Sequence, residues 1–172
     1  SRTNTTQRKF VNSDLNQVIK EALKMLKEEI QDRDALIEIQ NLCEVNIIPF
    51  QFRQLIQNLV SNSLKFSIPG QKPHITISCD FVKYDESSSL DFNLNTDHHH
   101  ISIIDNGIGF EPQYKDKIFD IFQRLNDRKE YSGTGIGLTI ARKIVENHNG
   151  IITGTGTLNH GAQFDIYLPC EQ

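Results

Sequence analysis

Residues 101–110 decide how this chain folds, and they read Ile-Ser-Ile-Ile-Asp-Asn-Gly-Ile-Gly-Phe. The apolar run predicts a buried strand, so Asp105 is expected where that strand ends. Gly107 and Gly109 then allow a tight turn and a close approach of the backbone to a ligand. A carboxylate at this place accepts a hydrogen bond from an exocyclic amine, which is one way to recognise a nucleobase. The same Asp-Asn-Gly sequence is also typical of an ordinary turn.

A second glycine-rich stretch follows at residues 133–138, which read Gly-Thr-Gly-Ile-Gly-Leu. It opens a segment with helical spacing over 135–147, so its backbone N–H groups and the positive helix end can bind phosphate. Its spacing is neither that of a P-loop nor that of a dinucleotide fold. All glycines except Gly70 lie beyond residue 106. This half of the chain must therefore approach something closely or adopt positive φ repeatedly.

A polar stripe marks the helix that is predicted to begin at Pro49, to run to about residue 66 and to stop at 67–70. Asn58, Asn62 and Lys65 recur at i, i+4 and i+7, so they share one narrow face. Asparagine is a mediocre residue for a helix interior because its amide competes for the backbone. Taken alone, the aligned pair is better explained by a solvated polar face, and a binding function is the alternative.

The rest of the chain alternates helices and strands around these motifs. Residues 1–11 show no periodicity and are interpreted as a linker, so the domain is expected at 12–172. The sequence Asn12-Ser13-Asp14 can cap a helix whose apolar spacing continues to Ile30. Strands are predicted at 36–39, 75–81, 100–105, 151–155 and 162–168, with an exposed loop at 84–97.

Composition excludes several classes of protein. A length of 172 residues fits one domain, and 18 Lys and Arg against 22 Asp and Glu give a net charge of −4. Without a cationic surplus, binding to nucleic acid is not expected. Three widely spaced cysteines without a C-x-x-C pair predict reduced thiols in the cytoplasm, with neither a disulfide framework nor a zinc site. Three adjacent histidines at 98–100 cannot all face one ion on a strand, so they indicate a hairpin end.

Together and in this order, the motifs resemble those of sensor histidine kinases. Residues 58–66 look like the N box of that family, 105–110 like its first glycine box, 118–124 like its phenylalanine box and 133–138 like its second glycine box. Residues 161–164 are similar to its closing element. The resemblance covers about 12–169, and this set of motifs is distinctive of the kinase branch of the Bergerat-fold ATPases.

The resemblance implies a two-layer α/β sandwich of the α+β type, the Bergerat ATP-binding fold. Its sheet is mixed and mainly antiparallel, with three helices on one face, and ATP lies between the helices and a lid formed by residues 111–134. Asn62 is expected to bind Mg²⁺ through its amide oxygen. Asn58 stands where related ATPases carry an acidic base, which favours phosphotransfer over hydrolysis. Lys65 is expected to approach the phosphates and Phe66 to stack on adenine.

The same resemblance assigns the remaining contacts with ATP. Asp105 is expected to hold the adenine amino group, with Gly107, Gly109 and Phe110 beside it. Phe119 and Phe122 are expected to anchor the lid in one of its states and to pack as an ordinary helical pair in another. Arg124 is expected to reach the γ-phosphate or a partner domain. Further contacts are expected from Gly133, Thr134, Gly135, Ile136, Gly137 and Leu138.

The implied activity is that of a protein-histidine kinase, which transfers the γ-phosphoryl group of ATP to a histidine. None of the six histidines of the chain precedes an acidic residue, as the family's phosphoacceptor does. The acceptor is therefore expected on a dimerisation domain outside this chain. The expected partners are that histidine-containing domain and the receiver domain of a response regulator. The full-length protein is expected to be a homodimer and the isolated fragment a monomer.

Two other functions stay open. One is a nucleotide-gated interaction module that binds ATP without phosphotransfer, and the other is a Ser/Thr kinase or a gyrase-like or chaperone-like ATPase of the same fold. Since the chain begins at Ser1 rather than at Met, we expect a piece of a longer receptor. This piece is expected in the cytoplasm, whether the parent receptor is soluble or anchored in a membrane.

Overall fold

A five-stranded sheet forms the frame of the computed structural model, which describes residues 9–40, 43–87, 94–120 and 136–172. In chain order the strands are β1 (Val11–Asp14), β2 (Leu36–Gln40), β3 (Glu44–Ile47), β4 (His74–Val82), β5 (His98–Asp105), β6 (Ile151–Thr157) and β7 (Gly161–Pro169). The helices are α1 (Leu15–Lys24), α2 (Lys27–Asp32), α3 (Pro49–Lys65) and α4 (Ile136–Asn147). Two short 3₁₀ turns, Pro112–Tyr114 and Lys117–Phe119, lie between β5 and α4.

The sheet has the order β2-β4-β5-β7-β6, and β1 pairs separately with β3. Only the β2–β4 pair is parallel among these strands, so the predicted mixed and mainly antiparallel sheet is confirmed. Alternate residues of the central strands, such as Ile77, Ile103 and Phe164, join the buried residues of α1, α3 and α4 in one core. The short helix α2 contributes no fully buried residue. No helix in the described ranges has the length and apolar character needed to cross a lipid bilayer.

The N-terminal part departs from the sequence prediction in three ways. The single helix expected up to Ile30 is broken into α1 and α2, because the backbone at Leu26 is not helical, with φ −110° and ψ 13°. The side chain of Leu26 is buried. Asp14 caps α1 as predicted, with its side chain accepting from the backbone N–H of Asn16 at 3.0 Å. Strand β1 was not predicted, and it begins within the stretch interpreted as a linker. The ring of Phe10, which also lies in that stretch, packs on the buried His148 with 5.3 Å between the ring centroids.

The cysteine prediction was wrong for two of the three thiols. The structure joins Cys43 and Cys79 in a disulfide with a Cα–Cα distance of 5.8 Å, and only Cys170 is a free cysteine among the described residues. The two cysteines are 36 residues apart in sequence. They meet because parallel pairing sets Gln40, at the end of β2, beside Ser78, the residue before Cys79 on β4.

A buried histidine fastens the start of α3 to the end of α4. The Nε2 atom of His148 accepts from the backbone N–H of Ile48 at 3.0 Å, and its Nδ1–H donates to the carbonyl of Ile144 at 2.7 Å. The ring also packs edge-on against Phe52 at 5.6 Å. Burial lowers the pKa of His148 below its ordinary value of 6.5, so the neutral ring that this bonding pattern needs is favoured. This link sets the position of α3, which carries the asparagine stripe.

Candidate functional site

Asp105 ends β5 as predicted, and its carboxylate is held by three donors from three parts of the chain. Its Oδ1 atom accepts from the backbone N–H groups of Gly107 at 2.9 Å and Ala162 at 3.1 Å. Its Oδ2 atom accepts from the hydroxyl of Ser63, on α3, at 2.8 Å. The strand end, the following turn and the start of β7 therefore meet at one carboxylate beside α3.

The surroundings of this carboxylate act on its pKa in opposite directions. Burial raises the pKa of Asp105 above 3.8, while the hydrogen bonds from Gly107, Ser63 and Ala162 lower it, and burial is the larger effect. Each carboxylate oxygen offers two acceptor positions, so the protein donors occupy both positions of Oδ1 and one of Oδ2. Oδ2 therefore keeps one position for a further donor, which is what recognition of an amino group requires.

The glycines after Asp105 allow the backbone to pack directly on other backbone. A Cβ atom on Gly107 would collide with the carbonyl oxygen of Phe66, and the next residue, Ile108, donates its N–H to that oxygen at 2.8 Å. Gly109 has φ +61°, and a Cβ there would collide with the carbonyl oxygens of two residues of the β6–β7 hairpin. The turn after β5 is thus built onto the end of α3. The expected roles of Gly107 and Gly109 toward a ligand stay predictions.

The polar stripe of α3 lies next to this turn. Asn58 and Asn62 are half-buried, Lys65 is exposed in the last turn of the helix, and Phe66 is half-buried immediately after it. The Nδ2 atom of Asn58 is buried and has no hydrogen-bond partner within the described part of the chain. A buried amide N–H without an acceptor costs about 1–3 kcal/mol, so this atom is one that a further acceptor would satisfy.

The aromatic residues expected beside ATP or in its lid are anchored in the core where the structure describes them. Phe110 is buried with its ring over Gly156, and Phe119 is buried with its ring 6.2 Å from that of Phe164. The hydroxyl of Thr139 on α4 donates to the carbonyl of Phe119 at 2.9 Å. Phe119 of the phenylalanine box is therefore fixed between the sheet and α4. Its role toward ATP stays a prediction.

Several predicted contacts fall outside the described residues. These are Phe122, Arg124, Gly133, Thr134 and Gly135, with most of the expected lid. Helix α4 begins at Ile136 and continues through Gly137, so the helical prediction for this segment is confirmed. Leu138 is partly buried against the core.

Ser63 is one of two residues of the site whose roles the sequence did not predict. It is buried, although it stands in the polar run Ser-Asn-Ser at 61–63. Ser63 follows Ile56, Leu59 and Val60 by seven, four and three residues, so it lies on the buried apolar stripe of α3. This helical spacing is the sequence signal that could have predicted its burial. Asn106 was also missed: its side chain accepts from the N–H of His74 at 2.8 Å and ties the turn to β4.

Comparison with known proteins agrees with this geometry. A family model described as histidine kinase-, DNA gyrase B-, and HSP90-like ATPase matches residues 48–172. Over 158 residues, 91% of this chain, the sequence is 37% identical to a phytochrome-like protein of Synechocystis sp., of which it covers 19%. Over 161 residues, 92% of the chain, it is 32% identical to sensor protein kinase WalK of Staphylococcus epidermidis, of which it covers 24%.

Solved structures give the same result. The catalytic domain of histidine kinase ThkA, in a nucleotide-free form, matches with a TM-score of 0.71 at 25% identity. The match covers 94% of this chain and 96% of that domain. The chain spans about a fifth of the length of the curated relatives it matches first. It belongs to the histidine kinase-, DNA gyrase B- and HSP90-like ATPase family, as an ATP-binding catalytic domain of the sensor histidine kinase type.

Proposed function

We propose that this domain binds Mg-ATP and transfers the γ-phosphoryl group to a histidine on a dimerisation domain outside the chain. The observation that carries the proposal is the hydrogen bond that the Ser63 hydroxyl donates to Asp105 Oδ2 at 2.8 Å. It fixes a carboxylate with one open acceptor position directly against the helix that bears Asn58 and Asn62. A base-recognising group and a pair of amide oxygens thereby stand at the same place in the fold.

Adenine recognition is assigned to Asp105. Its Oδ2 atom accepts from the exocyclic amino group, while Gly107 and Ala162 hold Oδ1 and keep the carboxylate from rotating. Phe66 offers a ring face to the base at the end of α3. Gly109 and Phe110, which follow in the same turn, are assigned to the adjoining wall, and Phe110 is buried with its ring over Gly156.

The phosphates and the metal are assigned to the stripe on α3. Amide oxygens are hard ligands that suit Mg²⁺, and Asn62 supplies one. Asn58 orients its amide beside it, and Lys65 supplies a mobile positive charge. Mg²⁺, when bound, neutralises charge on the phosphates during transfer. Arg124 and the glycine-rich segment 133–138 are proposed to complete the phosphate contacts.

Asn58 also favours transfer over hydrolysis. An amide cannot take a proton from water, so this position offers no general base for hydrolysis. An acceptor imidazole brings its own nucleophilic nitrogen and needs positioning rather than activation by a base. We assign the phosphorylated histidine to a homodimeric parent protein, and we assign the next transfer to the receiver domain of a response regulator. The domain is placed in the cytoplasm, where ATP is supplied.

The test supplies the acceptor in trans. Labelled ATP, Mg²⁺ and a histidine-containing dimerisation domain are incubated with the chain, and the label on that domain is measured. We expect labelling that requires Mg²⁺ and that falls sharply in Asn62→Ala, while Gln54→Ala, at an exposed position of the same helix, keeps it. Tight ATP binding without labelling would favour an interaction module. Rapid ATP hydrolysis without an acceptor would favour an ATPase.

A further inference from the structure

A cluster of two cysteines and one histidine lies at the opposite end of β5 from Asp105. Cys43, Cys79 and His99 each offer one ligand atom, and these three atoms lie within 4.8 Å of one another. We propose that these side chains, in the dithiol form of the chain, bind one Zn²⁺ ion. His99 stands six residues before Asp105 on the same strand, about 20 Å away at 3.3 Å per residue. This site is therefore separate from the proposed nucleotide site.

The strand register builds the cluster. Antiparallel pairing sets Cys79 opposite Ile101 and Phe81 opposite His99, so Cys79 and His99 are diagonal neighbours on the same face of the sheet. That face is the one turned to the core, since Ile101 and Cys79 are both buried. Cys43 reaches the same point from the segment between β2 and β3. The ligands thus come from three separate parts of the chain that the sheet holds together.

A second observation concerns the hydrogen bonding of His99. The Nδ1 atom of His99 is buried and has no hydrogen-bond partner among the residues that the structure describes. Buried polar atoms in proteins are nearly always paired, and an ion is one of the partners that explain an exception. In the register of β5, His98 and His100 point to the other face, where His100 Nε2 lies 2.7 Å from Asp165 Oδ1. His99 alone of the three therefore faces the two sulfur atoms.

The donor set selects the metal. Two thiolates and one imidazole are typical zinc ligands, and a tetrahedral site with Zn–S bonds of about 2.3 Å separates its sulfurs by about 3.8 Å. The two sulfurs are bonded in the disulfide, so they must be reduced and move apart before they can share an ion. Three protein ligands leave the fourth position to water. A bound Zn²⁺ would tie the segment after β2 to the sheet and stabilise the fold.

Reduction and binding balance as two steps. A phosphine reductant with one water molecule converts the disulfide to two thiols and becomes a phosphine oxide. Two electrons pass from phosphorus to sulfur, and the two protons of the water end on the thiols. Binding of Zn²⁺ to Cys43 and Cys79 then releases both thiol protons, so zinc affinity rises with pH.

The test uses the whole chain, reduced with a phosphine, freed of metal by a chelator and kept without oxygen. Co²⁺ is the probe, because thiolate ligands give cobalt a charge-transfer absorption that imidazole and water do not. We expect one Co²⁺ per chain with this absorption, displacement of Co²⁺ by Zn²⁺, and a higher Tm when Zn²⁺ is added. The disulfide form should show none of these effects. A reduced chain without thiolate–cobalt absorption overturns the proposal.

Variants assign the ligands one at a time, with circular dichroism as the measure of folding. Cys43→Ser and Cys79→Ser should lose the full absorption, and Cys43→Ser, at the less buried position, carries this test if Cys79→Ser does not fold. His99→Gln should weaken Zn²⁺ binding at least about tenfold, since loss of even an outer-shell partner costs that much. Cys170→Ser and His100→Gln are the matched controls. Equal zinc affinity in His99→Gln and the wild type, or loss of absorption in Cys170→Ser, would refute the assignment.

Discussion

Replacing Asp105 by asparagine should weaken the recognition of adenine and leave the fold of the site intact. In Asp105→Asn the new Oδ1 can still accept from Gly107 and Ala162 at 2.9 and 3.1 Å. The new Nδ2 takes the place of Oδ2, 2.8 Å from the hydroxyl of Ser63, and that hydroxyl can rotate to accept from it. All three internal hydrogen bonds are therefore available to the variant, and we expect it to fold.

The variant should lose the acceptor for the adenine amino group. A hydrogen bond to a charged group contributes about 1.5–3 kcal/mol, so the dissociation constant for Mg-ATP should rise about 10- to 150-fold. Inosine triphosphate carries a keto oxygen where ATP carries the amino group, and the asparagine amide can donate to it. Wild type should therefore prefer ATP, and the variant should lose or reverse this preference.

Isothermal titration of both proteins with Mg-ATP and with Mg-ITP measures this change of preference. In thermal unfolding, the same excess of Mg-ATP should raise the Tm of the wild type more than that of Asp105→Asn. Asp80→Asn makes the same change of charge at an exposed position of β4 and should behave as wild type. Equal affinity of wild type and Asp105→Asn for ATP, or equal affinity of wild type for ATP and ITP, would refute the adenine assignment.

Three further predictions concern stability. Burial raises the pKa of Asp105 above 3.8, so the folded state protonates this carboxylate at a higher pH than the unfolded state does. Wild type should therefore gain stability relative to Asp105→Asn as the pH falls toward 3.8. Urea unfolding at a series of pH values checks this, and a constant difference would contradict it. Burial lowers the pKa of His148, so as the pH falls the unfolded state binds this proton before the folded state does. Below pH 6.5, wild type should therefore lose more stability than His148→Gln does. Parallel pH profiles of the two proteins would contradict this. Gly109→Ala and Gly70→Ala both place alanine at positive φ, which costs about 1–2 kcal/mol of stability. Gly109→Ala should lose about 1–3 kcal/mol of stability more than Gly70→Ala, because its Cβ collides with backbone oxygens. Equal losses in urea unfolding would refute the packing argument.

Local patterns in the sequence were enough to predict most of the elements. The proline at 49 and the apolar stripe that follows it predicted α3 almost to its last residue, because a helix repeats every 3.6 residues wherever it packs. The apolar run before Asp105 predicted β5 and its end. Strands β1 and β3 were missed, since each has four residues and they pair mainly with one another. Such short segments have no period long enough to read.

The contacts that build the two sites depend on register, which no local pattern states. Ser63 and Asp105 are 42 residues apart in sequence, and their hydrogen bond exists only because the end of α3 packs beside the end of β5. The same holds for Cys43 and Cys79, which the spacing of the cysteines led us to treat as separate thiols. A shift of one residue in the β2–β4 register would turn the facing side chains to the other side of the sheet.

The sequence by itself determined the order of helices and strands, the family motifs and the residue types available for chemistry. Periodicity and glycine placement are local properties, so they can be recognised in the sequence without knowledge of the fold. Only the tertiary structure decided which of these residues meet. The packing of α3 against β5 chose Ser63 as the partner of Asp105, and strand pairing brought His99 to the two cysteines. Side chains distant in sequence become neighbours through burial and hydrogen bonding of the whole sheet, and these are properties of the folded chain rather than of any segment.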